Sequence, residues 1–514
     1  MLSAIAHRGD PEHFGEMATT PLATIGTNRL AIVDPDHGRQ PFCDPATGLW
    51  CVMNGEVYNH AELRRLVGGE WRSRCDTEVV MEAYRAWGDD FVHRLDGMFA
   101  ICLVDAARGR VLLGRDPLGI KPLYIARSVG GVAFCSEAKG LAALSGVTAI
   151  EAIPAGSLWT GGKATRYFQL PEFAPSAGLP ETDLLAGLAD ALTEAVGSCL
   201  PEADEEVACL LSGGVDSSTV LMLAARARPG RVRAFTFAAP GANSSDLAAA
   251  HAVCTHLGVP LTEVSPSAGT LTHYYLEEGV RMAETFEPAL VRNAVSYHFL
   301  CRAVRAAGFK WCLSGEGADE VFGGYDYFKQ LPLQIRDAAI RDSLEDIHRT
   351  YLQMADRASM AASVEVRVPY MERRFVEAAA RLPPDFRIRG DRDKWGLRNA
   401  FPGALPDAIL ARAKSGMNKG AGFGGNDPGE SIYSAAVSEF YSRHPSRLAA
   451  DRALVVAHPA FAIDRADTEE SYNFARFIEC GLQKISGSGT RPQLNTSHIR
   501  PSTVPAPLPC AVSS

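Results

Sequence analysis

Much of what this sequence says comes from what it lacks. Its 514 residues include no apolar run long enough to span a bilayer, so no membrane partner is expected. The opening MLSAIAHRGD lacks the basic-then-apolar order of a secretory signal, and the expectation is a cytoplasmic protein. Lys and Arg number 51 against 60 Asp and Glu, a formal net charge of -9. A sequence-independent grip on nucleic acid needs the opposite balance, so that class is excluded. The 12 cysteines are scattered and include no CxxC pair. A structural metal wants clustered ligands at short spacings, and none is visible. Buried, reduced thiols are the reading that remains. There is no internal repeat and no GxxxxGK[ST] phosphate loop.

What is present is an ordinary globular balance, 46% hydrophobic and 22% charged, over a length that suggests two domains. Residues 1–165 carry short apolar runs broken by turns, at 50–53, 99–104, 111–113 and 123–125. With a helix over 78–87, this predicts a β-rich α+β domain. Residues 175–487 have another rhythm: strands at 207–211, 232–237, 261–264 and 309–313 alternate with helices at 218–227, 247–257 and 295–307. That βαβ spacing predicts a parallel sheet with helices on both faces. Beyond about residue 330 the pattern is mostly helical. Residues 488–514 are rich in Pro and Ser, and a disordered tail is expected there.

The strongest signal is LLSGGVDSS at 210–218. A buried strand runs into Gly213 and Gly214, which allow a tight turn and close approach to a ligand. The following helix N-terminus offers free N–H groups and its positive dipole end, a ready anion site. Ser212, Ser217 and Ser218 add hydroxyls. Asp216 beside bound phosphate requires a cation between them, which points to Mg2+. A Gly-Ser turn capping a helix is the bland alternative; the strand before and the helix after count against it. CLSGEGADEVFGGY at 312–325 follows a second buried strand. Strand C-termini are where open α/β sheets bind ligands. Glu316, Asp319 and Glu320 are also what a solvated acidic turn would show.

Together with DRASMAASVEVRVPYMERRF (356–375), these loops resemble asparagine synthetase of the glutamine-dependent type, and the neighbouring β-lactam synthetases. The likeness covers nearly all the chain outside the tail. It implies a truncated N-terminal nucleophile-type glutaminase-like domain, then an ATP-pyrophosphatase domain with a parallel sheet. It implies that Asp216 and Asp319 hold Mg2+. Leu211, Ser212, Gly213, Gly214, Asp216, Ser217 and Ser218 would bind the ATP pyrophosphate. Phe237 would lie near adenine, and Ser314 and Gly315 near the ribose. Glu316 and Lys414, the latter in LARAKSGMNKG, would be catalytic. Carboxylates are poor electrophiles. Attack on the α-phosphorus of ATP makes an acyl-adenylate, which ammonia or another amine converts to an amide.

The first 165 residues carry the same resemblance in HRGDP (7–11), NRLAIVD (28–34), NGEVYNH (54–60), CDTEVV (75–80) and GRDPLGIKPLYI (114–125). It implies a glutamine site in which Arg29 grips the carboxylate, Asn54 and Gly55 form the oxyanion hole beside Glu56, and Asp76 holds the amine. The family's nucleophile is a cysteine at residue 1; here Met1 and Leu2 stand, and no cysteine precedes Cys43. The expectation is that the chain as given does not hydrolyse glutamine, either as a relict domain or because the natural start lies upstream. At PALVRNAVSYH (288–298), Ala289 and Leu290 replace hydroxyls expected near aspartate, while Arg292 remains. Aspartate leads as the acid. An amide ligase of specialised metabolism acting on another carboxylate is the alternative, and an inactive scaffold the third reading. A homodimer is compatible with the sequence.

Overall fold

The computed structural model describes residues 1–485 apart from 129, 176–177, 202–204, 241–243, 424–430, 459–462 and 464–467. The expected tail at 488–514 lies outside the described residues.

In the N-terminal part, six antiparallel strands pair in the order Lys163–Arg166, Ser157–Thr160, Arg110–Arg115, Gly97–Asp105, Leu49–Val57, Phe42–Asp44. The runs at 50–53 and 99–104 are the buried centres of the two longest strands. Side chains alternate faces along a strand. Met53, Phe99, Ile101 and Leu103 therefore pack on Val79, Val80, Ala83 and Tyr84 of the helix Asp76–Trp87. Val52, Ala100, Cys102 and Val104 face the other way, towards Ile25, Ile125 and Ile153. Ile25 and Ile125 belong to smaller antiparallel pairings, among them Tyr124–Ser128 between Gly131–Cys135 and Ile150–Ala152.

The second part is built on five parallel strands in the order Leu261–Val264, Val232–Phe237, Val207–Leu210, Trp311–Leu313, Glu365–Arg367. Helices Val215–Ala227, Ser245–Leu257 and Pro288–Ala306 make the crossovers. The first starts three residues before the expected 218, because Gly214 serves as its N-cap and Asp216 already lies in its first turn. The third starts seven residues before 295: Glu287 caps it through Leu290 N–H, and Pro288 fits the first helical position. Pro288 and the small Ala289 hid that start from a periodicity reading.

The strand order reverses between Val207–Leu210 and Trp311–Leu313, and open sheets bind ligands beyond such a switch point. Both Ser-Gly loops emerge there. A single core cluster runs through this sheet and reaches Ile5, Leu118 and Tyr124 of the first part.

Charges seal the same boundary. Arg8 is buried and meets Glu137 at 2.7 Å and both oxygens of Asp356 at 2.8 and 3.0 Å. Arg357, fully buried, joins Asp356 to Glu284. Glu284 in turn accepts the N–H groups of Ala138 and Lys139 at the start of the helix Ala138–Ala142.

Candidate active site

Leu211 follows the strand directly and is buried; its N–H reaches Phe235 O. Gly213 makes the turn at φ +72, where a side chain is strained. Ser212 and Ser217 knit the loop, with Oγ atoms 3.2 Å apart, and Gly214 N–H points at Ser212 Oγ at 3.3 Å. Ser218 is buried, and its Oγ has no hydrogen-bond partner. Across the switch point Gly315 lies against this turn: a Cβ there would fall 2.8 Å from Ser217 N. The two loops pack backbone to backbone, and Ser314 Oγ accepts the Glu316 N–H.

Asp216 and Asp319 then face a common cation, the Lys394 ammonium, at 2.5 and 2.6 Å. Lys414 reaches the other oxygen of Asp319 at 2.5 Å. Burial works to raise the Asp319 carboxyl, but Lys394 and Lys414 override it and hold the group well below the usual carboxylate range. Burial pushes Glu316 up to about 7 against the pull of Lys414, and Glu320 up to about 8 with help from Asp319. Tyr325 donates to Glu320 at 2.5 Å. Asp216 Oδ1 is buried without a hydrogen-bond partner. Phe237 is buried and pairs with Phe423 at 5.2 Å.

The sequence motifs therefore meet in one place. Lys394 was not foreseen, because DRDKWGLR carries no loop signature and only the fold returns it to the sheet. Its one detectable oddity is a left-handed backbone, φ 53, at the N-cap of the helix Trp395–Asn399.

The N-terminal motifs meet in a second place, a cavity of about 200 Å3 whose wall includes Arg8, Arg29, Asn54, Gly55, Glu56 and Asp76. Met360 and Glu365 of the second part also line it. Arg29 is not a free claw here: its guanidinium donates to the carbonyls of Val33, Asp34 and Pro35 at 2.9–3.0 Å. Asp76 accepts the Val57 N–H at 2.9 Å, and its carboxyl is raised by burial. Asn54 donates to Ser136 at 3.2 Å. Glu56 takes Arg367 at 2.8 Å. Burial raises the wall thiols Cys75 and Cys102 to about 12 and Cys135 to about 11, so none is a ready thiolate.

A carboxylate-and-lysine centre beyond a parallel sheet, joined to a glutaminase-type α+β part, defines an ATP-dependent ligase. A glutamine amidotransferase domain model matches residues 1–155, and an asparagine synthase model matches 187–342 and 334–424. Asparagine synthetase B [glutamine-hydrolyzing] of Escherichia coli (strain K12) is 31% identical over 502 residues, covering 92% of this chain and 86% of that one. The nodule asparagine synthetase of Pisum sativum is 30% identical, covering 88% and 78%. That of Asparagus officinalis is 30% identical, covering 91% and 80%. The chain belongs to the asparagine synthetase family.

Proposed function

We propose that this chain adenylates a carboxylate with ATP and passes nitrogen to the acyl carbon, releasing AMP and pyrophosphate. Aspartate is the acid and asparagine the product. One observation carries the reading: Asp216 and Asp319, from two loops at one switch point, converge on Lys394 while Lys414 closes on Asp319.

The N–H groups at the start of the helix Val215–Ala227, with the hydroxyls of Ser212 and Ser217, receive the β- and γ-phosphates. Lys414 is only partly exposed and stands where negative charge develops as pyrophosphate leaves. Glu316, held near neutral pH by burial, takes the proton that the attacking amine sheds. Phe237 and Phe423 give the adenine an apolar face.

The donor set fits Mg2+. Asp216 keeps a buried oxygen without a hydrogen bond and shares a cation with Asp319, and among the described residues no group of three or more His, Cys, Asp or Glu forms a site by itself. Mg2+ is commonly held in that way, by one or two carboxylates and the substrate's phosphates. Bound there, it would neutralise phosphate charge.

The nitrogen is ammonia, supplied free or from glutamine; burial keeps the three thiols lining the N-terminal cavity protonated, so none of those three is the nucleophile. The chain's described cysteines are all unpaired, in keeping with a cytoplasmic setting.

The test is pyrophosphate release from Mg-ATP and aspartate with ammonium or glutamine as the nitrogen source. Release with ammonium, lost in Asp216→Ala, supports the reading. Turnover with glutamine as well as ammonium assigns the nitrogen to glutamine, and a folded chain that releases no pyrophosphate with aspartate overturns the acid.

A further inference from the structure

Lys414 stands in a span, 412–416, that has no regular secondary structure. The span joins two short helices, Asp407–Ala411 and Met417–Ala421. A flexible four-carbon stem on an irregular span does not hold an ammonium in place by itself. Yet this ammonium meets Asp319, 95 residues away, at 2.5 Å. Its position needs an anchor.

The anchor is the residue at the head of the span, Arg412. Its Nη2 donates to Asp246 Oδ1 at 2.5 Å and to Ser245 Oγ at 3.0 Å. Its Nη1 donates to the Ser212 carbonyl at 3.3 Å. One planar fork therefore ties the Lys414 span both to the phosphate loop and to the first turn of the helix Ser245–Leu257. The phosphate loop is seated on the same helix, because Gly213 has no room for a Cβ against Ala249. Beyond Lys414 the chain returns to that turn. Ser244 Oγ donates to the Gly420 carbonyl at 2.8 Å, and a Cβ on Gly420 would collide with the Asp246 carboxylate. The lysine is thus pinned on either side of itself to one helix start.

Asp246 is buried, whereas Arg412 keeps 18% of its side chain in water. An ion pair open to water on one side adds little to stability. What it supplies is geometry, since a guanidinium aims several donors at once where a lysine would aim a point charge. The Asp246 carboxyl is raised by burial and drawn down by Arg412 and Lys414, so the three share one neighbourhood.

We propose that Arg412 and Asp246 are positioning residues for Lys414, holding its ammonium on Asp319 beside the phosphate loop, where the charge of the departing pyrophosphate develops. Because the same fork grips Ser212, the lysine and the phosphate-binding N–H groups act on one nucleotide as a unit. This inference rests on the adenylation reading above.

The first measurement needs no substrate. The full chain is treated with an amine-acylating reagent, and the labelled peptides are weighed. Lys414 in Arg412→Gln is expected to label at least about threefold faster than in wild type, as its ion pair opens more often. Lys394, whose side chain is 1% exposed, stays unlabelled in both and reports an intact centre. The second measurement is aspartate-dependent exchange of pyrophosphate into ATP. Arg412→Gln lowers kcat about 10- to 100-fold and leaves the KM for aspartate unchanged, as a small misplacement of a catalytic group does. In a Lys414→Met background the same substitution costs less than about twofold, because residues that act through one group are not additive. Where Arg412→Gln fails to fold, Asp246→Asn, which keeps the shape and removes the charge, is read in the same way. Equal labelling of Lys414 in wild type and folded variant overturns the positioning role, and so does an equal loss of exchange in the two backgrounds. A wild type without exchange, whose Lys414 still labels more slowly than the variant's, overturns adenylation of aspartate and leaves Arg412 as the residue that places Lys414.

Discussion

Arg367 crosses from the parallel sheet to the N-terminal cavity, where it meets Glu56 at 2.8 Å. Its own carbonyl takes the Ser314 N–H at 3.0 Å. One residue thus touches a cavity wall with its side chain and the Ser-Gly loop of the ligase centre with its backbone. Both partners of the ion pair are buried.

Breaking a buried pair from one side strands the other charge, at about 3–5 kcal/mol, whereas replacing both partners with apolar groups is often near neutral. Arg367→Met is therefore expected to lower the melting temperature sharply. Glu56→Met added to it should recover much of the loss, although Glu365 also leans on Arg367 at 3.2 Å. Calorimetry of the two variants reads the difference. A double variant no more stable than the single one would show that Glu56 is not the partner that matters.

Gly324 has no room for a side chain. A Cβ there would lie 2.0 Å from Asp319 Oδ1 and 2.3 Å from Lys394 Cε. Gly324→Ala should displace the shared carboxylate–ammonium contact while leaving the sheet intact. We expect exchange activity to fall by about 100-fold or more, as when one charge-stabilising group is lost from an active site. Unchanged activity in the folded variant would mean that Asp319 can move without consequence.

Lys394→Met removes the ammonium common to Asp216 and Asp319 and leaves Lys414 on one of them. Two carboxylates then face each other with less compensation, so nucleotide binding should require more Mg2+. Titration of ATP binding against Mg2+ in wild type and variant measures this. An unchanged metal requirement would count against Asp216 and Asp319 as its ligands.

Asp10 ties the first part to Arg305 at 2.6 Å and Lys310 at 2.8 Å. Burial works to raise its carboxyl, but the bonds from Lys310, Ala31 and Arg305 win and hold it below the ordinary value. A depressed carboxyl stabilises the fold at pH above its unfolded value and loses that contribution as pH falls through the folded one. Asp10→Asn should thus cost about 1 kcal/mol at neutral pH, discounted because both partners are a third exposed. The gap to wild type should begin to close below about pH 4. A gap that persists to pH 2 would assign the effect to packing rather than charge.

The sequence by itself determined the local chemistry: alternation set the two faces of each strand, and glycine with serine set the ligand loops. In SGGVDSS and SGEGADE a few adjacent residues specify turn, helix start and charge together, so both loops could be read in place. The N-terminal motifs were legible as a group, yet Arg29 turned out to bind three backbone carbonyls. Tertiary structure alone decided what stands opposite those loops. Lys394 and Glu469 lie far along the chain from the groups they meet, and nothing in their neighbours marks them. A long charged side chain carries no periodicity that says where it points. Only the crossover topology, which packs those segments around one switch point, fixes its partner.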